Sequence, residues 1–292
     1  MNAREITMAL HGKWYRRYGI ACCPAHGDRK PSLTLADGNE GRLLLSCKAG
    51  CDFLAVLNAL RSLGIMNGRE GLRPTDPIEM AKREIEERAA AERTARKALA
   101  TWKEALPIAG TIAETYLRNR GITCTLPATL RFHPECWHPS AKRFPTMIAL
   151  VEGLPLTAIH RTYLRPDGEG KADVHPQKAM QGACAGGAVR LARADGPLVV
   201  AEGIETALSL CSGLLHRPAT IWAALSAPGI AALRLPDQPK RLTIAIDGDA
   251  TGMVASNKLA ERAYSLGWNV RLLPAPEGKD WNDILMMKDT RA

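Results

Sequence analysis

Cys23-Pro24-Ala25-His26 is followed, after 20 intervening residues, by Cys47-Lys48-Ala49-Gly50-Cys51, a C-x2-H pair and a C-x3-C pair. Tetrahedral Zn2+ takes four Cys or His ligands, and closely spaced pairs let each turn supply two of them at little entropic cost. The spacing predicts one structural Zn2+ per chain, held by Cys23, His26, Cys47 and Cys51. A segment this small has little apolar core, so the metal would contribute folding energy directly. Cys22 rivals Cys23 as first ligand, but its side chain is expected to point away from that of Cys23. His133, Cys136 and His138 form a looser group without an obvious fourth ligand and read as structural, while the isolated Cys124, Cys184 and Cys211 read as small buried apolar residues.

The second group is acidic: Glu202-Gly203, Asp247-Gly248-Asp249, and Lys279-Asp280-Trp281-Asn282-Asp283. Each follows an apolar run that reads as a strand. In an extended D-x-D both carboxylates point the same way and can face one cation. Clustered hard oxygens suit Mg2+ or Mn2+, ions that also bind phosphates and stabilise charge developing at phosphorus. The competing reading makes Asp247 and Asp249 caps of a helix after Gly252. Two acidic motifs, each ending a strand of one sheet, favour the metal.

The third group is basic. Net charge is +9, and its excess lies in residues 1–73 and 117–193, whereas 74–116 and 194–292 are close to neutral. Lys142, Arg143, Arg161, Arg165, Lys171 and Lys178 are interleaved with Trp137, Phe144 and Tyr163. Positive charge tracks phosphates and aromatic faces stack exposed bases, so a single-stranded polyanion is the expected partner. Apolar residues at 46% and charged residues at 24% exclude wholesale disorder. No run is long and apolar enough to span a bilayer, and the N-terminus lacks an apolar signal core, so the chain is expected in the cytoplasm with no membrane partner.

The elements that must position these groups follow from periodicity. Leu33 with Leu35 and Leu43–Leu45 read as strands, and Asp52–Leu63 as a helix with Leu54, Leu57, Leu60 and Leu63 on one face and Gly64 as its stop. Asn67–Thr75 reads as a linker. Asp76-Pro77-Ile78-Glu79 has the form of a capping box opening a long exposed helix to Glu104. A shorter helix is expected at Glu114–Asn119, then strands at 129–132, 146–151, 156–164 and 188–191. From Pro197 apolar strands alternate with helices, the pattern of a parallel sheet covered on both faces. The fold class is α/β and α+β multidomain: an N-terminal zinc-binding domain (1–73), a helical linker (74–110), a basic α+β part (111–195) and a C-terminal parallel-sheet domain (196–292).

Val199-Val200-Ala201-Glu202-Gly203 with Ala245-Ile246-Asp247-Gly248-Asp249 resembles the Toprim domain, a Rossmann-like parallel sheet shared by DNA primases, topoisomerases and some nucleases. The two ligand pairs with Arg29-Lys30-Pro31-Ser32-Leu33 resemble the zinc ribbon of bacterial-type primases, and Tyr116–Ile122 resembles the helix opening their catalytic core. The order of parts is that of the DnaG-type primases, nearest to the phage- and plasmid-borne branch. The chain departs twice: its second pair is C-x3-C, and Thr206 stands where replicative primases carry an Asp, leaving Glu205 or Asp280 to supply the missing charge.

The resemblance implies a DNA primase that makes short RNA primers on single-stranded DNA from ribonucleoside triphosphates. Glu202, Asp247 and Asp249 would be catalytic, and these three with Asp280 would hold Mg2+. Arg161, Lys171, Lys178 and Lys279 would bind template or nucleotide. No G-x4-G-K-[ST] is present, so a replicative helicase would be a separate chain. Two rival readings are a Toprim nuclease and a non-catalytic zinc module binding single-stranded DNA.

Overall fold

In the computed structural model the chain divides into two units, Met1–Arg83 and Glu84–Ala292. The structure describes residues 2–15, 17–28, 30–38, 43–66, 77–248 and 250–289, and of 77–84, 250 and 289 the backbone alone. The expected linker 67–75, the cap Asp76 and the acid Asp249 lie outside the described residues.

The first unit opens with α1 (Ala3–Ala9), capped by Asn2 and Glu5 in a reciprocal box. Four antiparallel strands follow in sequential order: β1 (Lys13–Tyr15), β2 (Tyr18–Ala21), β3 (Leu33–Asp37) and β4 (Leu43–Cys47). Helix α2 (Phe53–Ser62) is capped by Asp52, which accepts from the Ala55 N–H, and stops before Gly64 at φ +68°. Its buried face is Val56, Leu57 and Leu60, while Leu54 and Leu63 are both 60% exposed. That corrects the expected stripe: the core of Ile6, Leu33, Leu35 and Leu43 meets only the inner part of the helix.

Helix α3 (Pro77–Glu104) is long and polar, as expected. After α4 (Ile112–Arg118), four strands extend β5 (Leu106–Pro107) into a five-stranded antiparallel sheet: β6 (Leu130–Trp137), β7 (Arg143–Val151), β8 (Ala158–Tyr163) and β9 (Lys178–Gln181). Of these, β9 was not foreseen, being short and polar. Met147, Thr162 and Lys178 stand in one register row and Ile148, Arg161 and Ala179 in the next, so the two rows point to opposite faces. Ile148 and Ile159 pack with Ala98 and Trp102 of α3.

The last sheet has order β10-β12-β11-β13-β14. Strands β11 (Leu198–Ala201), β12 (Thr220–Ala223), β13 (Arg241–Ile246) and β14 (Asn269–Pro274) are parallel, as the apolar runs predicted. The edge strand β10 (Val189–Ala192) is antiparallel to β12. One face packs on α6 (Ala227–Ala232) and α7 (Ala250–Ser265) through Val200, Ile244, Ile230 and Leu259. The other meets α5 (Ile204–Ser209), which runs on into a π-helical turn at Leu210–Leu214, and α8 (Trp281–Asp289). That second core also takes in Tyr116 and Leu117 of α4 and Met147 of β7, so segments 111–195 and 196–292 share it. Among the described residues no helix is long and apolar enough to cross a membrane.

Candidate active site and metal centre

Cys23, His26, Cys47 and Cys51 meet at one point of the first unit, their ligand atoms all within 4.8 Å of one another. His26 Nδ1 is 3.2 Å from Cys51 Sγ and 4.0 Å from Cys47 Sγ. Ligands on a Zn2+ tetrahedron stand about 3.3–3.8 Å apart, so the donor set and spacing fit that ion. Burial pushes the Cys23 thiol up to about 11. Burial also opposes ionisation of Cys47, but the Cys51 and Ala49 backbone N–H groups and Ser32 outweigh it and bring that thiol down to about 6. Cys22 stays out of the cluster.

The sequence reading missed Asp28. Its carboxylate lies 3.7 Å from His26 Nε2, the ring nitrogen away from the thiols, and accepts from the Cys23 N–H and the Ser32 hydroxyl. A carboxylate on the outer nitrogen of a ligating His fixes its tautomer and orientation. The signal was an acid two residues after the His. The looser group is dispersed: His133 faces Glu104, Cys136 turns to the Trp137 carbonyl, and His138 bonds Ser140 and the Pro176 carbonyl.

In the second unit, Glu202 directly follows β11 and Asp247 directly follows β13, so both acids leave the carboxyl ends of neighbouring parallel strands. Sites in open parallel sheets form there. The Glu202 carbonyl accepts from the Leu225 N–H at 2.7 Å, one step beyond the β11–β12 ladder. Leu225 sits at φ +73°, a left-handed conformation that costs a non-Gly residue on the order of 1–3 kcal/mol. Thr206 on α5 donates to Asp247 Oδ1 at 3.4 Å.

Gly248 accounts for the third acidic patch being close by. Its N–H donates to the Lys279 carbonyl at 2.8 Å and its carbonyl accepts from Gly278 at 2.9 Å, while a Cβ there would stand 2.1 Å from the Pro276 carbonyl oxygen. The glycine thus admits the 276–279 backbone beside Asp247. Asp280 accepts from the Asp283 N–H at 2.8 Å, capping α8, and Lys279 reaches Met287 Sδ at 3.2 Å. Asn282 is 2% exposed and donates to the Arg120 carbonyl and to Ser209, which ties α8 to α4 and α5.

The basic residues divide. Lys171 and Lys178 converge on Glu205 of α5 at 3.6 and 3.1 Å, and Tyr116 donates to the same carboxylate at 2.8 Å. Burial disfavours the Glu205 charge, but Lys178 and Lys171 outweigh it and hold the carboxyl far below its usual range. Glu205 is thus engaged by two lysines and a tyrosine. Arg161 lies on the opposite face of the sheet, donating to the Trp137 carbonyl at 3.1 Å. The sequence reading named Glu205 and Tyr116 but not their contact with each other and with the lysines, nor the buried His160, because these depend on sheet register and on how α5 packs.

Residues 197–290 match the Toprim domain family. The C-terminal sheet is a Toprim domain. Residues 92–191 match a domain of unknown function (DUF7146). No curated protein matches the sequence. Among solved structures, the zinc-binding and RNA polymerase domains of the Aquifex aeolicus primase are similar at 14% identity and TM-score 0.39, over 98% of this chain and 81% of that one. The RNA polymerase domain of Mycobacterium tuberculosis primase DnaG is similar at 15% identity and TM-score 0.40, over 68% and 79%. A Cys/His cluster fitting a zinc ribbon, followed by a Toprim domain, is the organisation of the DnaG-type primases that the sequence resembles.

Proposed function

We propose that the chain is a DNA primase that makes short RNA primers on single-stranded DNA for the replication of a phage, plasmid or other mobile element. One observation carries the reading: Glu202 and Asp247 leave neighbouring strands of a Toprim sheet, with two lysines gathered one helix turn away on Glu205. The donor set is hard oxygen, which suits Mg2+ or Mn2+. Asp247, Asp249 and Glu202 would hold the ion, with Asp280 as a further candidate whose cap on α8 would have to be shared. When bound, that ion stabilises charge on the phosphoryl oxygens. Glu202 alternatively accepts the proton of the attacking 3′-hydroxyl.

Lys171, Lys178 and Lys279 would take the triphosphate. Arg161 points to the other face, over the Tyr163 ring, whereas Trp137, 54% exposed beside Arg143, stands in a row of the Lys178 face, a pairing suited to stacking and charge on a template strand. The zinc-binding part (1–73) would contact the template, joined by the helical linker (74–110) to the basic part (111–195) and the Toprim part (196–292). A cytoplasmic setting and a helicase on a separate chain complete the proposal.

The test is to incubate the protein with single-stranded DNA, Mg2+ and labelled ribonucleotides. Short new RNA is expected. Shortened DNA instead would mean a nuclease, and neither product would leave a binding module. Asp247→Asn is expected to remove most primer synthesis with the fold and DNA affinity intact, because an amide lacks the charge that holds a hard ion against its hydration shell. Near-normal yield from that variant would sink the catalytic assignment.

A further inference from the structure

We infer that Glu205 is a positioning residue: it holds Lys171 and Lys178 side by side beside Gly203 as a two-ammonium clamp for the polyphosphate of a nucleoside triphosphate. The nucleotide part rests on the primase reading. The clamp rests on geometry.

Glu205 is 5% exposed, and both its oxygens are engaged: Oε1 by Tyr116 and Lys171, Oε2 by Lys178. A buried carboxylate is tolerated only when paired and hydrogen-bonded, and these partners supply that. The lysine side chains remain 24% and 36% exposed, so their ammonium groups are reachable from outside. Two cations share one anion, which leaves one positive charge uncompensated within the trio. Each ammonium has three N–H donors and uses only part of them on Glu205, so donors remain for phosphate oxygens. Behind them His160 is 4% exposed and pushed down to about 4, chiefly by burial and by Lys178, so it adds no charge at neutral pH.

The location follows from helix geometry. Successive residues on a helix are rotated by about 100°. Thr206 faces Asp247, so Glu205, one residue earlier, faces β9 and its Lys178. A Cβ on Gly203 would lie 3.8 Å from Glu205 Oε2, which puts the carboxylate against the residue that follows Glu202. The lysine pair therefore stands at the carboxyl end of β11, next to the candidate metal ligand. Without Glu205, two half-buried ammonium groups would repel, and one would swing out or lose its proton.

The experiment compares wild type with Glu205→Gln by binding of a fluorescent ribonucleoside triphosphate and its monophosphate, and by KM and kcat of primer synthesis. The triphosphate Kd and KM are expected to rise roughly tenfold, with monophosphate binding and kcat changed less than about threefold. Unchanged triphosphate binding would reduce Glu205 to a purely structural role. A lost kcat at saturating nucleotide, with a higher Mg2+ requirement and unchanged triphosphate Kd, would make it a metal ligand; either result overturns the clamp. If wild type makes no primers but Glu205→Gln still weakens triphosphate binding, the clamp stands and the reaction assignment falls. If Glu205→Gln does not fold, Glu205→Asp carries the test, with the exposed Lys258→Ala on α7 as control. The shorter acid should weaken triphosphate binding and Lys258→Ala should not; equal behaviour of the two overturns the proposal.

Discussion

Cys47 and Asp28 illustrate how single side chains act through a shared centre. Cys47→Ser is expected to abolish zinc binding by elemental analysis and to lower the melting temperature of the first unit, because the metal's binding energy is folding energy there. Asp28→Asn should keep the ligands and weaken zinc by about 10–100-fold, through the loosened His26 ring. Cys22→Ser should do neither, and full zinc retention by Cys47→Ser would refute the site. His160 acts through its missing charge. Its ordinary value is 6.5 and in the fold it is pushed down to about 4. Between those values the unfolded chain binds a proton that the folded one does not, so stability falls as pH falls through that window, by roughly 3 kcal/mol in all. His160→Gln should lose less stability than wild type between about pH 7 and about pH 4.5 in denaturant unfolding. Equal losses would contradict a neutral buried imidazole.

At the scale of elements, the acidic site is built by strand ends and by the glycine that lets one loop lie on another. Gly248→Ala would put a Cβ 2.1 Å from the Pro276 carbonyl oxygen and open the paired hydrogen bonds to 278–279. It should cost about 1–3 kcal/mol of stability and most of the primer yield. Gly203→Ala meets nothing nearer than 3.4 Å, the Thr206 hydroxyl, and should be much milder. Melting curves and primer yields of the two variants, measured together, check this; equal effects would mean that the 276–279 loop does not position the acids. Elements were legible where their pattern was regular. Apolar runs such as Leu198–Ala201, alternating with helices, read as buried parallel strands, and Gly64 and Gly121 end helices because each adopts positive φ. β9 was hidden because Lys178–Gln181 has no apolar alternation, and the stripe on α2 was misplaced because a helix period does not say how wide a face the sheet covers.

For the whole molecule, the +9 charge and its position outside the nearly neutral 194–292 segment predict an electrostatic template interaction. Affinity for single-stranded DNA should fall log-linearly with salt, with a slope that shrinks by about 0.7 for each phosphate contact removed. Arg143→Ala should reduce the slope and Lys258→Ala should not; a salt-independent affinity would reject the reading. Before any fold is known, residue type and spacing already determine the Cys/His ligand set, the parallel sheet and the acids at its strand ends. These follow from local constraints: ligand chemistry, periodicity, and the rule that a strand buried on both faces is apolar throughout. Only the tertiary structure decides what Glu205 does, that Arg161 parts from Lys171 and Lys178, and that Asp28 backs His26. A one-residue change of strand register exchanges the two faces of a sheet, and one residue on a helix turns a side chain by about 100°, so partners this far apart in sequence are set by packing alone.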